Sequence, residues 1–337
     1  MKKIYIVTGA NGFLGNNIVR QLEGQPCQIR ALVLPGDSTK ALEGLRCKIY
    51  EGDVTDRQSL AEIFDVEAGD DVYVIHCAGM VYIKARYNQA VYDINVGGTR
   101  NIADMCLAAG AKLVYVNSVH AIEEPSEDVM ISEADGFDAD SVIGLYAKTK
   151  AEAAAWVLQM VKEEGLCACI VQPSGMIGPY DFGRSHLTQM VLDFLEGRLK
   201  ACVRGGYDFV DVRDVAEGTI EACEFGRSGQ SYILSNRFYT IHDFLNRIAE
   251  ISGKKKIRVV LPMGLAKATA PLSEIYYKIL CQPPLFTSYS LYTLTAKSLF
   301  SNEKARKELH YTNRSMDETI ADTVSWLMEK KSLTGRK

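Results

Sequence analysis

No stretch of this sequence is apolar for long enough to cross a membrane. The nearest candidate, Val259 to Leu272, is broken by Lys267 and two prolines, whereas a spanning helix needs roughly 18 uninterrupted apolar residues. A secretory leader is missing as well: Met1-Lys2-Lys3 runs straight into Ile4-Tyr5-Ile6-Val7 and then glycines, which leads us to expect a cytoplasmic protein. There is no basic excess, since 38 Lys and Arg stand against 42 Asp and Glu for a net charge of −4. That balance excludes the electrostatic footprint of a nucleic-acid binder, and Lys254-Lys255-Lys256, the one basic run, reads as a solvated turn. Metal-type cysteine pairing is absent too. The nine cysteines are odd in number and scattered, so reduced thiols are expected rather than a disulfide framework. Cys167 and Cys169, in an apparent strand from Leu166 to Gln172, have no histidine or second cysteine pair nearby; they read as buried small hydrophobes, and no metal site is expected. We find no internal repeat and no low-complexity tract.

What is there has the rhythm of a parallel sheet. Short apolar runs at Ile4 to Val7, Gln28 to Leu34, Lys48 to Tyr50, Asp71 to His76 and Lys112 to Asn117 alternate with helical patterns at Gly15 to Leu22, Gln58 to Phe64 and Val91 to Ala109. This alternation predicts an α/β fold of the Rossmann type, a doubly wound parallel sheet. A chain of 337 residues is long for one domain, and the pattern loosens after a further strand at Cys167 to Val171. We therefore expect a dinucleotide-binding domain over 1–172, a smaller C-terminal substrate-binding lobe over 173–330 with possible returns to the sheet, and a flexible tail at 331–337. In the lobe, Leu187 to Leu199, Ile241 to Ile251 and Met316 to Met328 read as helices, and the apolar, aromatic Leu261 to Ser298 as a lid or pocket wall.

Two motifs carry chemistry. Gly9, Gly12 and Gly15 follow a predicted strand and open a predicted helix. Their spacing gives a tight turn, a close approach of backbone to a pyrophosphate, and tight packing of helix on strand. Tyr146 and Lys150 lie four residues apart, about one helical turn, so phenol and ammonium share a face. The ammonium would favour phenolate, which makes Tyr146 a candidate general acid or base. With 17 tyrosines in the chain, the pair alone says little; its place downstream of a dinucleotide motif is what gives it meaning.

Taken in order, TGANGFLG at 8–15, GDVTD at 52–56, HCAG at 76–79, NVGGTRN at 95–101, VNS at 116–118 and YAKTK at 146–150 resemble the extended short-chain dehydrogenase/reductase superfamily. PSGMIGP at 173–179, DFVDVRDVAEG at 208–218 and FSNEKARKELHY at 300–311 carry the resemblance over about nine tenths of the chain. It implies a catalytic trio in which Tyr146 protonates or deprotonates the reacting oxygen, Lys150 holds the nicotinamide ribose and lowers the tyrosine pKa, and Ser118 bonds the same oxygen. Around the cofactor the resemblance places Gly9, Gly12, Phe13, Leu14 and Gly15, then Asp53 and Val54 at the adenine, Cys77, Ala78 and Gly79 beneath its ribose and pyrophosphate, and a supporting Asn95. Pro173, Gly175 and Met176 join Tyr146 and Lys150 on that side. Blander readings stand beside some of these: Ser118 as a capping serine, and Asp53 as part of the N-cap chemistry of Thr55-Asp56.

Superfamily membership leaves several reactions open. Val119-His120 follows Ser118, where a dehydratase of this superfamily usually has Asp-Glu, so dehydration is not expected; His120 is either a substrate contact or a histidine packed at a strand end. The C-terminal motifs look most like the branch of dihydroflavonol reductases, similar bacterial reductases and 3β-hydroxysteroid dehydrogenases. Met80, Val81, Tyr82, Met176, Tyr180 and Phe182 suggest an apolar pocket, which suits oxidation or reduction of a hydrophobic sterol-, polyphenol- or terpenoid-like molecule. The alternatives are a nucleotide-sugar epimerase, with Arg184 and Arg213 binding phosphates, and a non-catalytic NAD(P)-sensing regulator. Cofactor choice favours NADP over NAD. Val33 and Leu34 stand where an NAD enzyme commonly has an acid, Lys40 is a possible phosphate partner, and Asp37 is the contrary sign. Relatives in the superfamily often form homodimers through helices equivalent to 91–109 and 146–160.

Overall fold

The computed structural model describes residues 2–83, 86–125, 129–266, 288–295 and 299–334. β1 (Lys3–Thr8), whose Ile4 to Thr8 are buried, leads through the glycine loop into α1 (Phe13–Leu22). Leu14, Ile18, Val19 and Leu22 supply the buried stripe of that helix. β2 (Gln28–Val33), β3 (Lys48–Glu51) and β4 (Asp71–His76) follow. The next crossover is α2 (Gln89–Tyr92), a π-helical stretch (Asp93–Gly98) and α3 (Thr99–Ala109). β5 (Lys112–Val116), α4 (Leu145–Glu164) and β6 (Ala168–Pro173) come next.

Beyond β6 the chain makes β7 (Gly175–Ile177), α5 (His186–Leu195), β8 (Ala201–Val203), β9 (Gly206–Asp211) and α6 (Val212–Phe225). It then returns to the sheet as β10 (Ser231–Leu234) before β11 (Arg237–Thr240), α7 (Ile241–Ser252) and β12 (Val259–Leu261). The last helices are α8 (Ser288–Thr293), α9 (Glu303–Glu308) and α10 (Met316–Thr334). Seven strands form one parallel sheet in the order β10-β6-β5-β4-β1-β2-β3. The strands are near-continuous apolar runs because both sheet faces are covered. One core unites α1 and α6 with the sheet, and the other unites α3 and α4 with the opposite face. The order reverses between β1 and β4, and ligands bind such sheets at that switch point, outside the carboxyl ends of the strands.

The second lobe is built on the sheet β11-β9-β7 and the pair β12-β8, with α5, α7 and α10 packed around them. Its core includes Phe209 stacked on Phe244 at 4.2 Å between ring centres, with Leu245, Ile248, Ile320 and Val324 nearby.

Two sequence expectations need correction. The helix expected over Gln58 to Phe64 is a 3₁₀ turn, Arg57–Leu60. There the Ser59 hydroxyl donates to the carbonyls of Asp53 (3.1 Å) and Asp56 (2.7 Å), and Asp56 caps Gln58 N, so side chains offer the backbone local bonds that compete with a helix. Cys167 is exposed and only Cys169 is buried, because the strand starts at Ala168 and leaves Cys167 outside it. The end of the chain is helical through Thr334, and residues 335–337 lie outside the described residues, as does most of the expected lid, at 267–287 and 296–298.

Candidate active site

The glycine loop is shaped by backbone in close contact with backbone. Gly9 has φ +62°, and a Cβ there would lie 2.9 Å from the Ala78 backbone; a Cβ on Gly15 would lie 2.2 Å from the Gly9 carbonyl. Two chain segments therefore meet at van der Waals distance, Gly9 after β1 and Cys77-Ala78 after β4. α1 opens on Gly12 with no side-chain cap and no acid in its first turn. The first-turn amides of Phe13, Leu14 and Gly15 are thus available to an anion, favoured there by the helix dipole. This uncapped, glycine-lined cradle fits the diphosphate of a dinucleotide.

Beneath the cradle runs a buried polar chain. Thr8 Oγ1 lies 2.7 Å from His76 Nδ1 and accepts from Ala78 N at 3.1 Å; His76 Nε2 lies 3.1 Å from Thr99 Oγ1, which donates to the Asn95 carbonyl. Burial drives the His76 pKa down to about 3, with the Lys150 charge adding to the effect, so the ring is neutral. Asn95, in the π-helical stretch, accepts from Met80 N at 2.8 Å and donates to Met80 O at 3.1 Å and to Thr149 Oγ1 at 3.0 Å. One amide thereby ties the loop after β4 to α4. Val54 is buried beside Gly98, where a Cβ would lie 2.6 Å from it. Asp53 uses Oδ1 on both Thr55 N and Thr55 Oγ1, each at 2.8 Å, which is the turn chemistry its sequence context suggested.

Ser118, Tyr146 and Lys150 converge at the carboxyl end of β5. Ser118 follows that strand, and Tyr146 and Lys150 occupy successive turns at the start of α4. Ser118 Oγ accepts from His120 N at 3.2 Å, capping a short 3₁₀ turn, and its side chain lies near enough to the Tyr146 phenol to favour its ionisation. The capping reading of this serine holds, and Ser118 and Tyr146 both line the same cavity. Lys150 is 5% exposed; its ammonium donates to the Val116 carbonyl at 2.6 Å and lies 4.4 Å from the centre of the Tyr115 ring.

The electrostatics correct one expectation. Burial raises the Tyr146 pKa and the Ser118 side chain only partly opposes it, with no lowering from Lys150. Lys150 is itself the perturbed group: burial brings it down to about 7, against a small opposing pull from Cys77, whose thiol burial pushes up to about 12. Its bond to the carbonyl of Val116 satisfies the amine locally.

A cavity of about 1770 Å³ joins Ser118 and Tyr146 to the second lobe. Phe13, Gly79, Ser118, Tyr146, Pro173 and Met176 lie along its cofactor side, and Leu187, Met190, Leu199, Val203, Leu294 and Leu327 along its far side. Gly175, which joins Met176 in this wall, packs so closely that a Cβ would lie 2.9 Å from the Asp208 carbonyl. Of the expected substrate contacts, His120, Val81 and Met176 line the cavity, whereas Met80, Tyr82, Tyr180 and Phe182 do not. Met80 is drawn back by its two bonds to Asn95. Tyr180 turns outward onto α1, with Arg20 Cζ 4.2 Å from its ring centre, and Phe182 packs against Trp326 at 5.6 Å.

Sequence reasoning missed two cavity residues. Asp208, on β9, takes Ser174 Oγ at 2.5 Å and Asn236 N at 3.0 Å on one oxygen, and burial lifts its pKa to about 6. The buried Asn117 amide has no hydrogen-bond partner among the described residues. The only signal for Asn117 was its place before Ser118, and Asp208 sat unremarked inside a motif.

Comparison with known proteins agrees with this geometry. Residues 5–235 match the family described as NAD dependent epimerase/dehydratase. Sterol demethylase protein B of Methylococcus capsulatus is 30% identical over 336 residues, covering 96% of this chain and 98% of that protein. A putative dihydroflavonol 4-reductase of Synechocystis is 29% identical over 337 residues, covering 97% and 95%. The crystal structure of gox2253 superposes with a TM-score of 0.83 at 31% identity over 98% of this chain and 99% of that one. The chain belongs to the NAD dependent epimerase/dehydratase family and is an NAD(P)-dependent enzyme of the extended short-chain dehydrogenase/reductase type.

Proposed function

We propose that the protein interconverts a ketone or aldehyde and the corresponding alcohol on a bulky hydrophobic molecule, with Tyr146 as general acid and base. The observation that carries this reading is the continuity of one cavity from the Ser118–Tyr146 pair into a chamber of the second lobe lined by more apolar than polar surface. Its volume of about 1770 Å³ exceeds the roughly 300–1,000 Å³ of ordinary ligand sites, leaving room for a large substrate beside a nicotinamide. The bound dinucleotide supplies or accepts the hydride. In the reducing direction the Tyr146 hydroxyl gives its proton to the carbonyl oxygen while Ser118 donates a hydrogen bond to it, so negative charge on that oxygen is met by two aligned donors.

An epimerase of nucleotide sugars would need cations for a diphosphate in the far chamber. Of the basic side chains that line the cavity, Arg184, Arg198 and Lys330, Arg198 is already paired with Asp193 and Glu196, and Arg213 is paired with Asp211 and Asp322, which leaves Arg184 as the cation this alternative would use. A sensor without catalysis would have no use for a serine and a tyrosine together on the cavity wall. The names of two relatives, a sterol demethylase component and a putative dihydroflavonol reductase, support a polycyclic substrate. For the cofactor we favour NADP: no acid follows β2 directly, and Asp37 is engaged by the Asn11 side-chain amide at 3.4 Å.

Tyr146→Phe tests the mechanism because it keeps the ring and removes the proton. With NADPH and NADH each offered alongside hydrophobic ketones, turnover should fall by about 10²-fold or more, while the cofactor dissociation constant measured by calorimetry stays within about twofold, a change under 0.5 kcal/mol. An unaltered rate would remove Tyr146 from the chemistry, and epimer formed from a UDP-sugar, with no ketone consumed, would favour the epimerase.

A further inference from the structure

The last helix turns back onto the loop that follows β7. Trp326 on α10 meets Phe182 edge-on at 5.6 Å and Tyr180 at 6.3 Å. Lys330, one turn later, holds its ammonium 4.0 Å from the Phe182 ring centre and 4.6 Å from that of Trp326. The two rings fix where this charge stands. The loop is held in turn against α1: the Asn16 amide donates to the Tyr180 carbonyl at 3.0 Å and the Asn17 amide to the Pro179 carbonyl at 3.4 Å. Tyr180 and Arg184 have φ of 71° and 55°, a left-handed conformation that costs a non-glycine residue about 1 kcal/mol or more and persists where the surroundings impose it.

The result is a gathering of like charge beside the first turn of α1. Arg184 and Lys330 line the same cavity as Phe13, and the Arg184 guanidinium makes no hydrogen bond or ion pair among the described residues. Lys40 opens the short 3₁₀ turn after β2. The proton affinity of Lys330 is lowered first by burial and then by Lys40 and Arg184, with Asp181 opposing. The Asp181 carboxylate is committed to Ser185 N at 2.7 Å. Arg184 and Lys330 thus share a cavity with the opening of α1, whose first-turn amides are open to an anion.

We propose that Lys330, together with Arg184, clamps a phosphate of the bound dinucleotide, so that α10 of the second lobe closes over the cofactor as well as over the substrate chamber. This inference rests on the cofactor site described above. The phosphate is either the diphosphate on α1 or the 2′-phosphate that distinguishes NADPH from NADH, and calorimetric titration of both cofactors separates the two.

In Lys330→Met the affinity should fall about tenfold or more, the loss expected for one charge-assisted contact, and Lys330→Arg should restore most of it. Arg184→Met, at an exposed position, should repeat the loss if α10 proves sensitive to substitution. An equal loss for both cofactors places the clamp on the diphosphate, and a loss confined to NADPH places it on the 2′-phosphate. Unchanged affinity for both, in variants that melt at the wild-type temperature, overturns the clamp while leaving the cofactor site standing. Failure of the wild-type protein to bind either dinucleotide would instead remove the site itself.

Discussion

Ser118 accepts from the backbone amide of His120, so its rotamer is set before any substrate arrives. Gly15 shows the same economy in backbone. Its missing side chain lets the Gly9 carbonyl approach to a point 2.2 Å from where a Cβ would sit, and the obstructing atoms are backbone, which cannot rotate aside. Gly15→Ala should therefore open the cradle, weakening cofactor binding at least about tenfold and destabilising the fold by roughly 1–3 kcal/mol. Titration calorimetry and thermal melting check the two effects; wild-type affinity would show that the loop yields without consequence. The four-residue spacing of Tyr146 and Lys150 was legible in the sequence. The protonation of the pair was not, because the shift of Lys150 to about 7 comes from burial among β5, α4 and the loop after β4, which no local spacing records.

At the level of elements, the crossover between β4 and β5 reads as one helix in sequence but contains the π-helical stretch Asp93–Gly98. A π turn widens the helix and carries one residue out of α-helical register, a feature often found at functional sites. Here it presents Asn95 to Met80 and Thr149 at once. Asn95→Ala should leave the Met80 amide and carbonyl and the Thr149 hydroxyl short of partners, costing about 1–3 kcal/mol by urea denaturation, and should lower turnover because Thr149 sits between Tyr146 and Lys150. Full activity with wild-type stability would show that the bridge is dispensable. Apolar periodicity located the elements well where one face is buried, as in α1 and α7. It failed at residues 58–64, where Ser59 and Asp56 hold the backbone through their own side chains.

Across the whole molecule, the two lobes are joined where α6 begins. The fully buried Asp211 accepts three bonds from Arg213, whose guanidinium also reaches Asp322 on α10 at 2.6 Å, and Arg314 pairs with Asp214 and bonds it through its backbone N–H. Arg213→Met should strand a carboxylate in a dry site and cost about 3–5 kcal/mol, read as a lower urea midpoint. A loss below about 1 kcal/mol would mean that Arg314, 4.0 Å from Asp211, takes over the charge.

The sequence by itself determined the parallel sheet, the glycine cradle and the shared helix face of Tyr146 and Lys150, because each depends on short-range spacing: apolar runs between crossovers, glycines three apart, a phenol and an amine one helical turn apart. Ser118 entered through the resemblance to the superfamily. Tertiary structure alone decided the walls of the cavity. Tyr180 and Phe182 are as apolar as chamber residues, but α10 brings Trp326 against them and α1 brings Arg20, while Leu294 and Leu327 line the chamber from more than a hundred positions away. Which side of a loop faces a cavity depends on what the rest of the chain packs against it.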